Sequence, residues 1–374
     1  VHVELPMRVK VDRAHLVMLA ERRLVARERV VAVLRFLETL ACGDLDAADY
    51  EAYLAERLGP DAGGLLETGR ARDDLDATLT SLRSRAWLLG FAEKAIRLEA
   101  ILLARARAYE PVILPGHTRF RAAAPITYGY YLLGVARAVG REIDALVAAA
   151  GGLHTCPLGA CAGAGTDLPI DPSRTAGLLG YLDAGRHALD AVASRDAVLR
   201  MLGAAAGLTV VLSRFAADLQ AWSAAESSFI SFPDRPRSTF PLEHLKARPA
   251  RLAGAWAGAV SAMAAAPFAG TAEVGAEAME NVWPGLSAAE QAVAMAQTVA
   301  GGARPDAPAP APAEVPEQVR EHSYGGGPGA FAEPYQRAYA SWVRHRRWCV
   351  DWREAQAEAD AALEAAVKSV LEQP

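Results

Sequence analysis

The sequence predicts an all-α fold. Apolar residues recur at alternating steps of four and three, and the runs of alternating Val, Ile, Thr and aromatic residues that mark strands are nearly absent. The seams are also long. Met201, Ala205, Leu208, Leu212, Phe215, Leu219 and Trp222 keep to one face over 196–224, which asks for an equally long facing helix.

Taken in order, 11–60 reads as a small helical region broken by turn residues near Gly43 and Gly59, giving an N-terminal helical domain over 1–68. Leu75, Leu79, Leu82, Ala86 and Leu89 then repeat the seam in a helix that runs on to about Ala108. Two more helices follow at 125–150 and 241–265, with Pro125 and Pro241 suited to their first turns. Together these make a long-helix bundle over 69–303. The apolar stretch from Leu252 to Gly270 is built from Ala and Gly rather than Leu, Ile and Phe, which points to a bundle helix and not a membrane span. A linker over 304–330 combines the Ala/Pro tract from Arg304 to Pro316 with the glycine-rich turn from Tyr324 to Gly329. That turn lacks the Lys-Ser/Thr of a phosphate-binding loop and follows no strand, so it reads as a hinge. A last helix over 332–370 fills the C-terminal segment, 331–374.

The 374 residues are 52% hydrophobic and 22% charged, a globular composition, and the formal net charge of −5 gives no general drive toward nucleic acid or anionic membrane. Neither is expected as a partner. Cys42, Cys156, Cys161 and Cys349 are too scattered for a disulfide framework, and no secretory signal is read at Val1, so a reducing cytoplasm is expected. Cys156 and Cys161 lack a second close pair and no His recurs at ligand spacing, so neither a metal nor any other cofactor is expected.

Three segments carry chemistry-like punctuation. Residues 68–75 read TGRARDDL, 114–121 read LPGHTRFR with PITYG at 125–129, and 157–166 read PLGACAGAGT with LPID at 168–171. In order and spacing they resemble T-x-R-S-R-N-D-Q, M-P-G-Y-T-H-L-Q with Q-P-[IV]-T-[FL]-G, and P-L-G-S-G-A-L-A-G-T with F-P-I-D of the argininosuccinate lyase family, within the fumarase and aspartase superfamily. Arg195-Asp196, Ser213 to Leu219 and Leu245 to Arg248 continue the match. The resemblance implies a homotetramer of long helices with each active site shared between three subunits. It also implies removal of a β-proton from a succinyl group and expulsion of an amine, which needs a base, an acid and cations for the aci-carboxylate.

The same alignment shows departures. Thr118 is kept, but the family's catalytic histidine is Arg119, which holds charge and cannot shuttle a proton. Its glutamate partner corresponds to Glu243, expected to pair with Arg119. Asp73 replaces the asparagine that helps bind substrate carboxylate, while Arg70, Arg72 and Asp74 are kept. Beyond Pro267 the family's A-Y-N-[KR]-D-x-Q reads AGTAEVG at 269–275, losing the tyrosine and glutamine that grip argininosuccinate. The segment from Phe232 to Glu243 is shorter than the family's serine loop and does not match it; Ser238 and Thr239 are hydroxyls there, serving either in chemistry or as caps before Pro241.

Two functions fit this pattern. One is a repurposed β-elimination lyase acting on a small anionic amino-acid or dicarboxylate substrate other than argininosuccinate. Arg70, Arg72, Arg119, Arg121, Ser238, Lys246 and Arg248 would bind substrate, with Thr118 and Glu243 in catalytic positions. His117 is then a proton carrier or a hydrogen-bonded turn residue, and Asp73 a base or a helix cap. The other is a non-catalytic scaffold that keeps the tetrameric bundle.

Overall fold

The computed structural model describes residues 4–40, 50–118, 121–225, 227–232, 240–269, 272–306 and 330–372. The chain is all-α, as expected, and is organised on one helix, α5 (Arg72–Ala108), whose length by helical rise is about 55 Å. Packed along it are α6 (Tyr128–Ala150) and α11 (Ala272–Gly302); α9 (Asp196–Trp222) packs on these two, α10 (Phe240–Ala264) packs on α9 and α11, and all share one core with α5. The seam read on α9 is buried as predicted: Met201, Ala205, Leu208, Leu212 and Leu219 are fully enclosed, with Phe215 and Trp222 nearly so. The stretch around α9 is long and apolar enough to cross a membrane, and half of it is buried in the bundle.

The seam read on α5 needs correction. Leu75 and Leu82 are buried, but Ala86 is exposed and Leu79 and Leu89 only half-buried. The inward positions of this half are instead Thr78, Ser81, Ser84 and Arg85. Arg85 serves backbone there: its Nη1 donates to the Leu153 carbonyl at 2.8 Å, and its guanidinium lies over the rings of Tyr181 and Trp352. A polar requirement at one end of α5 overrides the hydrophobic period.

Pro125 does not open α6. It lies in the second strand of an antiparallel hairpin, β1 (Ile113–Thr118) and β2 (Arg121–Thr127), opposite Pro115. Helix α6 starts after Thr127, whose Oγ1 accepts from the Tyr130 N–H at 3.1 Å. The close return is possible because residue 129 is glycine: a Cβ there would sit 2.4 Å from the Ala106 carbonyl oxygen. The hairpin is the largest β element among the described residues, and the near absence of β-alternation in the sequence did not anticipate it. Two short pairs complete the strands: β3 (Thr155–Cys156) with β4 (Asp183–Ala184), and β5 (Ile230–Ser231) with β6 (Arg304–Pro305). The start of the Ala/Pro tract is thus paired at Arg304 and Pro305; the rest of that spacer and the glycine-rich turn lie outside the described residues.

A second core gathers α1 (Glu4–Glu21), α2 (Arg27–Thr39), α3 (Tyr50–Leu58), α4 (Pro60–Leu66) and α7 (Pro172–Leu178). Arg23, with φ 57, makes a break after α1 that no glycine announced. The last helix, α12 (Ala332–Glu372), ties the two cores together. Its middle lies on α5 and α6, and its end reaches α1, where Arg13 meets Glu364 at 2.6 Å. Cys156 and Cys349 are buried free thiols, whereas Cys42 lies outside the described residues.

One buried polar contact fastens α12. His345, 3% exposed, is held between Glu99 of α5 at 3.1 Å and Asp144 of α6 at 2.9 Å. Burial alone would lower its pKa, but the two carboxylates outweigh this and raise it above the ordinary 6.5. Because the folded state holds this proton more tightly, the clamp contributes fully below the unfolded pKa and is lost as pH rises through the raised folded value. Thermal unfolding followed from mildly acidic to mildly alkaline pH should show this loss in the parent protein. It should be absent from His345→Gln; equal slopes in the two would refute the assignment.

Candidate functional site

At the N-terminus of α5 the TGRARDDL segment divides its side chains between core and cavity. Arg70, expected in a substrate pocket, is instead 6% exposed and structural: its Nη1 donates to Asp12 at 2.6 Å, and Asp12 also accepts from the Tyr50 hydroxyl at 2.7 Å. Beside them His15 is pushed down to about 3 by burial and by Arg70, so it packs as a neutral ring against the Thr68 carbonyl. Asp74 is fully buried and accepts from three backbone N–H groups, of Ala71 at 2.9 Å, Gly159 at 2.9 Å and Cys161 at 2.8 Å. Burial pushes its pKa up, opposed by those bonds. Asp74, and not Asp73, is therefore the carboxylate that serves the helix start. It also fixes the 157–166 loop, where Gly159 takes φ +99 under Ile170 and Pro172.

Asp73 turns the other way, into a cavity of about 360 Å³. This hollow lies between the first turns of α5, the end of α8 (Ala188–Ala193) and the start of α11, and it is lined by Asp73, Asp76, Arg83, Arg195, Glu280 and Trp283, with Gly275 on its wall. Asp73 and Gly275, two of the positions at which the family pattern is lost, thus face the same space. Arg83 stacks over Trp283, 3.9 Å from the ring centroid. Burial pushes the Asp76 carboxyl up against the pull of Arg72, whose Nε lies 3.6 Å away. Arg72 itself is 90% exposed at its side chain. Two more hollows, of about 400 and 270 Å³, also have Arg195 on their walls. No group of acidic, His and Cys side chains suited to a metal occurs among the described residues.

The second cluster lies at the far end of α5. His117, on β1, is exposed, with its ring 6.3 Å from both Trp222 and Phe229. Thr118 pairs with Arg121 across the hairpin backbone. Lys246 is exposed and donates to Gln220 at 2.7 Å, which places the first turns of α10 beside the end of α9; Glu243, one turn earlier, is also exposed. Arg248 donates to Gln291 at 2.8 Å and so braces α10 against α11. Arg119, Ser238 and Thr239 lie outside the described residues, and with them the expected Arg119–Glu243 pair. Asp73 and Ala108 are thirty-five helical positions apart, about 50 Å by helical rise, so a single chain keeps the two clusters apart.

The match of a family model described as lyase covers residues 38–239, more than half of the chain; it takes in Asp73, His117 and Arg195, while Glu243, Lys246 and the α11 wall of the cavity lie beyond it. The chain belongs to the lyase family. Among its curated relatives are argininosuccinate lyases. That of Methanothrix thermoacetophila is 33% identical over 304 residues, covering 76% of this chain and 62% of the relative. That of Nitrosococcus oceani is 37% identical over 235 residues, 59% and 50% of the two chains. Argininosuccinate lyase 1 of Shouchella clausii is 28% identical over 306 residues, 76% of this chain and 61% of the relative. The chain therefore spans about half to three fifths of the length of these lyases. Among solved structures it is similar to an EDDS lyase in complex with formate, with a TM-score of 0.88 at 20% identity over 98% of this chain and 92% of that one. The 3-carboxy-cis,cis-muconate lactonizing enzyme from Pseudomonas putida follows at TM-score 0.68 and 15% identity, over 98% and 90%. At these identities the likeness is one of fold.

Sequence reasoning missed Asp76, Arg83, Glu280, Trp283 and the cavity position of Arg195. Asp76 and Arg83 sit one and three turns into α5 on Asp73's side, and that spacing was the available signal. Removal of the Asp74 carboxylate should loosen this whole wall. Asp74→Ala leaves three N–H groups without their acceptor and is expected to destabilise the protein by about 2–4 kcal/mol in denaturant titrations. Asp73→Ala, which touches none of them, should stay within about 0.5 kcal/mol of the parent.

Proposed function

We propose that this lyase-family chain acts as a β-elimination lyase on a small anionic amino-acid or dicarboxylate substrate, not argininosuccinate, at sites shared between subunits of a homotetramer. The observation that carries the reading is the separation of the two clusters. An acidic and cationic cavity holding Asp73 stands about 50 Å along α5 from His117, Glu243 and Lys246. The Asp73 cavity has carboxylates and arginines but lacks His117, the candidate proton carrier, whereas antiparallel packing of α5 helices from neighbouring copies would bring the two ends together. Exposed apolar residues on the outer sides of α9 and α10 support association of copies: Val210 is 48% exposed and Trp256 42%.

In the proposed reaction a base removes a proton from the carbon next to a carboxylate. The electron pair forms the new double bond as the C–N bond breaks, and the amine leaves with a proton from the acid. His117, exposed on the hairpin, is the proton carrier supplied by one subunit, and Asp73 a second candidate base from another. Thr118, Arg119, Arg121, Ser238 and Lys246 would support the substrate from the His117 end, and Arg72 from the Asp73 end. Reaction in the opposite sense, addition of an amine to an unsaturated acid, uses the same groups. The relatives named argininosuccinate lyase and EDDS lyase both fit a C–N reaction. The second reading, a non-catalytic homologue, is favoured by Arg70, whose guanidinium is committed to Asp12.

Subunit mixing tests the shared site. Asp73→Ala and His117→Ala should each lower turnover of substituted succinates by roughly a hundredfold or more. Dissociating and reassociating the two variants together should restore part of the activity, because some sites then carry neither change. Full loss in the mixture would sink site sharing, and no elimination or amine addition by the parent with any substituted succinate or unsaturated acid would favour the scaffold.

A further inference from the structure

Arg195 stands out among the buried charges. It is 8% exposed, and its Nη1 donates to two carbonyls, those of Val192 at 2.7 Å and Ser194 at 2.8 Å. Among the described residues no carboxylate lies within ion-pair distance of it. Arg85 is a useful contrast. It too is buried on carbonyls, but its guanidinium packs on the rings of Tyr181 and Trp352 and it lines none of these hollows. The other edge of Arg195 faces the cavity, and what leaves it uncovered is Gly275. A Cβ built there would lie 3.8 Å from both Nε and Nη2, so any side chain at this position would extend across that edge. This edge is open to the cavity, where Asp76 supplies some compensating negative potential but no direct partner, so an anion entering there would gain a charge-assisted pair.

We infer that the Nε and Nη2 edge of Arg195, uncovered by Gly275, is a carboxylate subsite of the cavity that holds Asp73. The inference rests on the reading of this cavity as the substrate pocket and adds its charge selectivity. A guanidinium edge binds a carboxylate through two parallel hydrogen bonds. Asp73, Asp76 and Glu280 line the same hollow and repel a ligand that is only anionic. The ligand favoured is therefore one that carries a carboxylate for Arg195 and an ammonium or secondary amine for these acids. A volume of about 360 Å³ suits an amino-acid-sized molecule.

The test uses the full chain and three probes: aspartate, succinate, and the diamide of aspartate, which keeps the ammonium and lacks carboxylates. Calorimetric titration should rank aspartate above succinate and give little binding of the diamide. Two variants separate charge from bulk. Gly275→Gln covers the edge without charge, whereas Gly275→Glu supplies a carboxylate from within. Both keep the helix and gain the same propensity over glycine. Both should weaken aspartate by about tenfold or more. Gly275→Glu should also melt higher than Gly275→Gln by roughly 2 °C or more, because only it pairs the buried guanidinium. Equal melting of the two variants, unchanged aspartate affinity in both, or no aspartate binding by the parent would each overturn the inference. Turnover assayed on the same samples keeps the two readings apart. Aspartate binding that Gly275→Glu abolishes, in a protein with no turnover, leaves the subsite standing and removes the lyase. Turnover that survives unchanged in Gly275→Glu removes the subsite and leaves the lyase.

Discussion

The carboxylate of Asp74 is the contact on which the candidate site depends. Its two oxygens gather N–H groups from the start of α5 and from the 157–166 loop, three donors that the backbone leaves unpaired at a helix start and in a tight turn. Burying a carboxylate is expensive, and here the expense is met by hydrogen bonds and by the nearby Arg70–Asp12 pair. Once that knot is tied, the neighbouring residue is obliged to face away from it. Asp73 therefore points to the cavity because Asp74 points to the core.

The length of α5 imposes the second constraint. A helix of 37 residues carries the first motif at one end and delivers the chain into the hairpin of the second motif at the other. Gly129 lets α6 turn back at once along α5, so the two ends never approach within one chain. In the proposed function each end of this rod is a half-site.

Legibility in the sequence followed the strength of the local signal. The end of α5 and both limits of α9 were readable to within about two residues, and for α9 the reason is a sustained period. The hairpin was not, since Ile113 to Thr127 is short, proline-containing and without alternation, and its pairing is decided by the return of α6 onto α5. The α5 seam was misread for a related reason. Arg85 looks like a surface residue in one dimension and becomes an interior one only because the Leu153 carbonyl needs a donor. The break at Arg23 likewise has no mark in the local sequence.

For the site itself, order and spacing of the motifs were enough to give the family and to mark Asp73 and Gly275 as departures. By itself the sequence determined the helical class, the long rods and the residue types available for chemistry, because these rest on periodicity and on local turn and cap preferences. Only the tertiary structure decided that Arg70 is spent on Asp12, that Arg195 meets Gly275 across a cavity, and that His117 stands at the opposite end from Asp73. Those outcomes join residues dozens of positions apart, and burial, not local preference, sets which polar group each charge must face.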